Sequence, residues 1–197
     1  MAKLTGPLLS LGARGQIAGT LVMSNWKGVN TARTLVIPAN PRTADQQTQR
    51  GYMSNAVAGW HATPFTAADI AALNLAATKS AKPLSGFNYF CRDYISALQA
   101  GETVVQPYDV SITDIRESSA TGACLAASDH DAVLYLGTSP GSMLTQFEGA
   151  WTAGTTSYEF TITDLSQLTE YWCYIKMSAA NYAGRTGIYR FKTTAAA

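Results

Sequence analysis

Charge is what this chain has least of. Asp, Glu, Lys and Arg together make up only 14% of its 197 residues. A surface so sparsely charged is expected where neighbouring subunits cover much of it, which points toward an assembly. Histidine is almost missing, with His61 and His130 the only two. Zinc sites draw on three or four convergent ligands, usually spaced His or Cys pairs, and no such spacing occurs. Ser128-Asp129-His130-Asp131 lacks the alternating oxygen ligands and glycine turn of a calcium loop, so it is read as a polar loop between strands. His61 follows Trp60 at the end of a helical segment, where an imidazole caps carbonyls or packs. Neither histidine is joined to a nucleophile in a recognisable motif, and G-x-S-x-G does not occur. Gly12-Ala13-Arg14-Gly15 is too short for a phosphate loop and is read as a turn. A glycan hydrolase needs two carboxylates facing one cleft, whereas the Asp and Glu residues fall mainly in turns and at strand edges. The expectation is a protein that is not an enzyme, with no catalytic residue, metal or cofactor.

Long apolar runs are missing too. No stretch of about 18 apolar residues exists to span a bilayer, and residues 1–15 lack the apolar core of a signal peptide. The protein is therefore expected to stay in the compartment that made it. Its three cysteines cannot all pair. Cys124 and Cys173 fall where two strands of one sandwich could face each other, and Cys173 lies two residues after Tyr171, a spacing found in immunoglobulin domains. A bridge between them is one reading; the preferred one is two small buried thiols. Cys91, beside Phe90, is read as core.

What is present is clearest near the end. Tyr158, Phe160 and Ile162 alternate with polar residues, as do Tyr171, Cys173, Ile175 and Met177, the period of half-buried strands. A last strand spans 188–193. Earlier strands are expected near 107–112, 121–127, 132–137 and 146–151, about seven short strands in ninety residues, the count of a β-sandwich. The first half reads differently. Two β-rich runs, 15–24 and 29–38, flank Asn25-Trp26-Lys27-Gly28, which suits a hairpin loop. Thr43 caps a helix running to about Trp60, with Gln46 in capping-box position. Thr66 caps a second to about Thr78, with Asp69 at the third helical position. Pro83 or Ser85 opens a third, which Gly101 ends. The expected architecture is an α+β module over 1–103, a β-hairpin plus about three helices. An all-β sandwich over 104–197 follows, with 101–106 as linker.

The charge split agrees with two parts: residues 1–103 hold nine Lys and Arg against four Asp and Glu, and residues 104–197 hold five against nine. Trp26, Lys27, Arg33, Arg42 and Arg50 form a basic-aromatic set. Single-strand binders stack bases on such aromatics, but Trp and Arg are equally favoured anchors in a protein groove. The protein groove is preferred and nucleic acid is not expected.

Two stretches resemble known families. Leu165, Thr169, Glu170, Tyr171 and Gly184 match the corner and closing strands of fibronectin type III domains. The resemblance implies that Tyr171 is a corner tyrosine whose hydroxyl bonds back to the backbone, with Leu165 beside it. The tryptophan usual on that family's second strand is absent near Cys124. Over the first sixty residues, Gly12, Gly15, Trp26-Lys27-Gly28, Arg33, Asn40-Pro41-Arg42-Thr43, Gln46, Gln47 and Arg50 resemble a group of short proteins of tailed bacteriophages and prophages. That resemblance implies a virion structural protein, assembled in the bacterial cytoplasm. A capsid decoration or cement role is preferred, with a neck or tail component as the alternative. A nucleic-acid-binding packaging accessory is the alternative from another class. The implied partners are other virion proteins, whether major capsid or neck and tail subunits. Self-association and contact of the sandwich with a host surface are further implied partners; a membrane is not.

Overall fold

The computed structural model describes residues 2–4, 14–26, 28–37, 42–80 and 84–195, excepting the side chains of 2–4 and Trp26. Gly12, Ala13, Lys27, Asn40, Pro41 and Pro83, all singled out from the sequence, lie outside the described residues. Chain contacts divide the protein into two compact units, residues 1–43 and 44–197.

The first unit is a four-stranded antiparallel sheet in the order β1-β4-β3-β2. Its strands are β1 (Ala2–Leu4), β2 (Gly15–Ile17), β3 (Leu21–Trp26) and β4 (Val29–Thr34). The expected hairpin is present, with β3 and β4 joined across Lys27 and Gly28. The run 15–24, read as one strand, is two. Ala18 and Gly19 both take positive φ, 48° and 67°, and Thr20 N donates to Ile17 O at 3.0 Å. That is the mirror-image turn whose twist matches flanking strands. Alanine seldom adopts this conformation, which is why the turn does not announce itself.

The second unit begins with α1 (Ala44–Ala62), α2 (Ala67–Lys79) and α3 (Gly86–Gln99). The helix ends are set locally. Thr66 and Asp69 form a complete capping box on α2, and Ser85 Oγ accepts from Asn88 N on α3. Past α3, Gly101 turns left-handed at φ 80°. There Gly101 N donates to Leu98 O and Glu102 N to Ala97 O, closing the helix as glycine-ended helices do. Helix α1 packs on α3 through Ala56, Phe90 and Cys91, with Trp60 and Phe65 rings 4.9 Å apart.

The sandwich follows as β6 (Tyr108–Thr113), β7 (Ala120–Leu125), β8 (Ala132–Gly137), β9 (Thr145–Glu148), β10 (Ala150–Thr152), β11 (Ser157–Ile162), β12 (Glu170–Met177) and β14 (Tyr189–Lys192). One sheet has the order β10-β11-β7-β6 and the other β14-β12-β8-β9. These are the two sheets of an immunoglobulin-like sandwich, with the extra strand β9 at the edge of the second. The expected strand near 146–151 is split at Gly149, where the chain leaves one sheet and joins the other. Between the sheets lie Leu134, Tyr158, Phe160, Ile162 and Ile175, all fully buried. Each such side chain stabilises the fold by about 1.5–3 kcal/mol relative to exposure.

Two expectations about organisation change. The expected boundary at 103/104 does not coincide with the contact division at 43/44: α1–α3 belong with the sandwich. The expected linker 101–106 is held in place as β5 (Thr103–Val104), which pairs in parallel with β13 (Tyr182–Ala183). Val105 is buried beside it. Helix α2 lies on the sandwich through Leu73, Ala76 and Ala77 against Ile188. Ile188 N donates to Ala72 O at 3.1 Å. A Cβ on Gly187 would stand 2.2 Å from the Ala72 and Leu73 backbone, so only glycine lets this loop reach the helix.

Candidate interaction site

The expected interface residues divide between the units. Trp26, Lys27, Arg33 and Arg42 belong to residues 1–43, and Arg50 to α1 of residues 44–197. Lys27 lies outside the described residues. Within the sheet, Arg33 pairs with Val22 and Trp26 with Val29, so register puts Trp26 in phase with Val22, Val29 and Arg33. Arg33 and Arg42 are exposed.

The charge of the first unit is one-sided. Residues 1–43 contain Lys3, Arg14, Lys27, Arg33 and Arg42 and no Asp or Glu. The excess positive charge of the first half is thus concentrated in the sheet segment. Its interior is slight: Met23 is the one buried apolar residue among the described residues 14–37. Ile17, Val29, Val36 and Ile37 are exposed, the last at 81%. Units of about 40 residues seldom bury enough to stand alone without a disulfide, a metal or a partner, and residues 1–43 hold no cysteine.

In the second unit the polar chemistry centres on Asp69, 2% exposed. Its Oδ2 accepts from Thr66 N, Thr66 Oγ1 and Asp109 N, each at 2.9 Å. Its Oδ1 accepts from Val110 N at 3.2 Å and from the Tyr189 hydroxyl at 2.5 Å. A register shift between Tyr108 and Ser111 in the β6–β7 ladder leaves the Asp109 and Val110 amides to this carboxylate. Burial alone pushes the Asp69 carboxyl up, but the bonds from Tyr189, Thr66, Asp109 and Val110 outweigh it and hold it below its ordinary value. Burial and the same carboxylate push the Tyr189 hydroxyl far up. The capping box located Asp69 in sequence. Its partners on β6 and β14 lie 40 and 120 positions away, beyond any local signal.

The expected structural residues are placed as follows. Ser166 N donates to the Tyr171 hydroxyl at 2.8 Å, the corner contact, and Leu165 is buried beside it. Cys124 on β7 and Cys173 on β12 are buried free thiols, as is Cys91. Burial pushes both Cys124 and Cys173 up to about 12, which leaves them without the thiolate that reaction requires. The Asp129–Asp131 loop is pinned: Tyr158 donates to Asp129 Oδ1 and accepts from His130 N, and the His130 ring stacks on Tyr182. Among the described residues no three His, Cys, Asp or Glu side chains are grouped to hold a metal ion. No described helix is long and apolar enough to cross a membrane.

Two cavities adjoin α3 in the second unit. One of about 270 Å³ is mostly apolar, lined by Leu73, Phe90, Tyr94 and Val104 among others. A second of about 300 Å³ is polar, with Lys79, Arg92 and Arg185 in its wall. Tyr89 and Arg185 line both.

No family model and no curated protein matches the chain. Solved structures do resemble it over just under half its length. A structure described as a myokine is 18% identical over 47% of this chain and 100% of its own, with a TM-score of 0.38. The FN5 domain of Drosophila Lar is 18% identical over 46% of this chain and 97% of its own, with a TM-score of 0.38. The FN3 domain of human collagen XX is 18% identical over 46% of this chain and 94% of its own, with a TM-score of 0.34. The strand order β10-β11-β7-β6 over β14-β12-β8-β9 makes the C-terminal strands an immunoglobulin-like β-sandwich, an architecture that fibronectin type III domains share.

Proposed function

We propose that the protein is a structural component of a tailed-bacteriophage particle, first of all a capsid decoration protein. The basic sheet of residues 1–43 anchors it and the sandwich is displayed. The observation that carries this reading is that segment itself: five cations and no acid in residues 1–43, and one buried apolar side chain among the described residues 14–37. A segment so composed gains its stability by burying its faces against another protein, and its charge selects an acidic partner surface. The resemblance of residues 12–50 to phage proteins supplies the setting. Repeated weak contacts then add through avidity.

The test is incorporation. Arg33→Glu combined with Arg42→Glu is expected to lower the amount of protein that co-sediments with assembled particles, leaving its folding unchanged by circular dichroism. Undiminished incorporation overturns the anchoring role. Copy number separates the locations: hundreds per particle place it on the capsid, and multiples of six or twelve place it at the neck or tail.

The same five cations favour a second reading, a nucleic-acid-binding packaging accessory. Filter binding across a salt titration separates it, because each neutralised phosphate adds about 0.7–0.9 to the slope of log affinity against log salt.

A further inference from the structure

The polar cleft beside α3 has no part in that reading; Lys79 and Arg92 at its rim are exposed and Arg185 is half-buried. Lys79 comes from the last turn of α2, Arg92 from α3, and Arg185 from the segment between β13 and β14. Three elements therefore bring three cations to one opening of about 300 Å³, and among the described residues no carboxylate lines it. Arg92 is partly committed. Its Nε and one terminal nitrogen donate to Asp93 Oδ1 at 3.0 and 2.9 Å, and its guanidinium lies 4.6 Å from the Tyr89 ring centre.

Arg185 is different. Its backbone is fixed, since its carbonyl accepts from Gln106 Nε2 at 2.8 Å and it bridges to Lys176. Its guanidinium is stacked 3.9 Å from the Tyr174 ring centre. Yet Arg185 Nε is buried with no hydrogen-bond partner, the one such side-chain atom among the described residues. A buried donor of a charged group left unpaired costs more than an ordinary lost bond. Aromatic stacking supplies attraction but no acceptor lone pair. What is missing is an oxygen acceptor of negative charge, which a guanidinium pairs with best.

We infer that this cleft binds an organic oxyanion, a carboxylate or phosphate, held by Arg185 with Lys79 and Arg92 at the rim. The volume exceeds what a bare inorganic ion fills, and small-molecule sites begin at about 300 Å³. The apolar cavity that shares Tyr89 and Arg185 favours a ligand with an aromatic or aliphatic body.

The experiment is a titration of the full chain, followed by amide chemical shifts, with phenyl phosphate, benzoate and inorganic phosphate in separate arms. Saturable shifts at Ser80, Arg92 and Arg185 are expected in at least one organic arm, with weaker binding of inorganic phosphate. The arm that saturates names the oxyanion. Arg185→Met is expected to weaken binding by about tenfold, the loss of one charge-assisted hydrogen bond. Should Arg185→Met unfold the protein, Lys79→Met at the exposed helix end is the variant that decides, with a several-fold loss expected. Arg190→Met, which removes an exposed ion pair to Glu170, is expected to leave binding unchanged. Shifts that do not saturate in either organic arm overturn the inference. So does affinity unchanged in both Arg185→Met and Lys79→Met, or equal losses in Arg190→Met.

Discussion

β3 of the first unit and β12 of the second are both apolar strands in the interior of a four-stranded antiparallel sheet. In β12, Tyr171, Cys173, Ile175 and Met177 are buried in strict alternation. In β3 one described side chain is buried, Met23. β12 faces a second sheet that supplies Cys124, Tyr158, Phe160 and Ile162. An alternating pattern states which side chains a strand offers for burial; a second layer decides whether the offer is taken.

The largest effect expected on this contrast comes from Phe160. Phe160→Ala opens a cavity between the sheets and should cost about 3–5 kcal/mol in urea unfolding. Met23→Ala, at the one buried apolar side chain described over residues 14–37, should cost about 2 kcal/mol, the low end for a buried methionine. Equal losses would erase the contrast. Hydrogen exchange gives an independent reading, with amides of β7, β11 and β12 exchanging far more slowly than those of β2 and β3.

Asp69 comes next. Asp69→Asn should cost about 3 kcal/mol, since bonds to a charged acceptor are worth about 1.5–3 kcal/mol each and the amide sets a donor against other donors. Because the folded carboxyl is held below its ordinary value, its contribution is complete above the usual carboxylate range of about 4. It is lost as pH falls through the folded value. Acid unfolding of Asp69→Asn should therefore be less pH-dependent than that of the parent below about pH 4. Parallel profiles would show that Asp69 is not what the acid limb reports.

Gly187→Ala probes the contact of helix with sandwich. A methyl group 2.2 Å from the Ala72 backbone has to move one element, at a cost of about 1–3 kcal/mol. No loss by thermal melting would mean that the loop and α2 yield freely. Smallest is Tyr171→Phe, which removes the hydroxyl that Ser166 N donates to. It should cost about 0.5–1.5 kcal/mol in urea unfolding.

Much of this architecture is legible in the sequence because its signals are local. Alternation marks β11 and β12, Thr66 and Ser85 mark helix starts, and Tyr171 marks the corner. What escapes is set by distance or by cost. The Asp69–Tyr189 bond spans 120 positions. Ala18 occupies a left-handed turn that its side chain disfavours. Arg185 looks like any surface arginine until Tyr174, Tyr89 and the end of α2 are folded around it. The expected grouping of Arg50 with Arg33 and Arg42 rested on nearness along the chain, and the contact division at 43/44 falls between them.

The two-residue parallel ladder between Thr103–Val104 and Tyr182–Ala183 takes the swivel out of the chain where the helices give way to strands. Helices and sandwich are thereby geared together, with no hinge at 101–106 to absorb a turn. Whatever grips α1 also sets the heading of the sandwich loops, so orientation can be imposed at one end and delivered at the other without a moving part between.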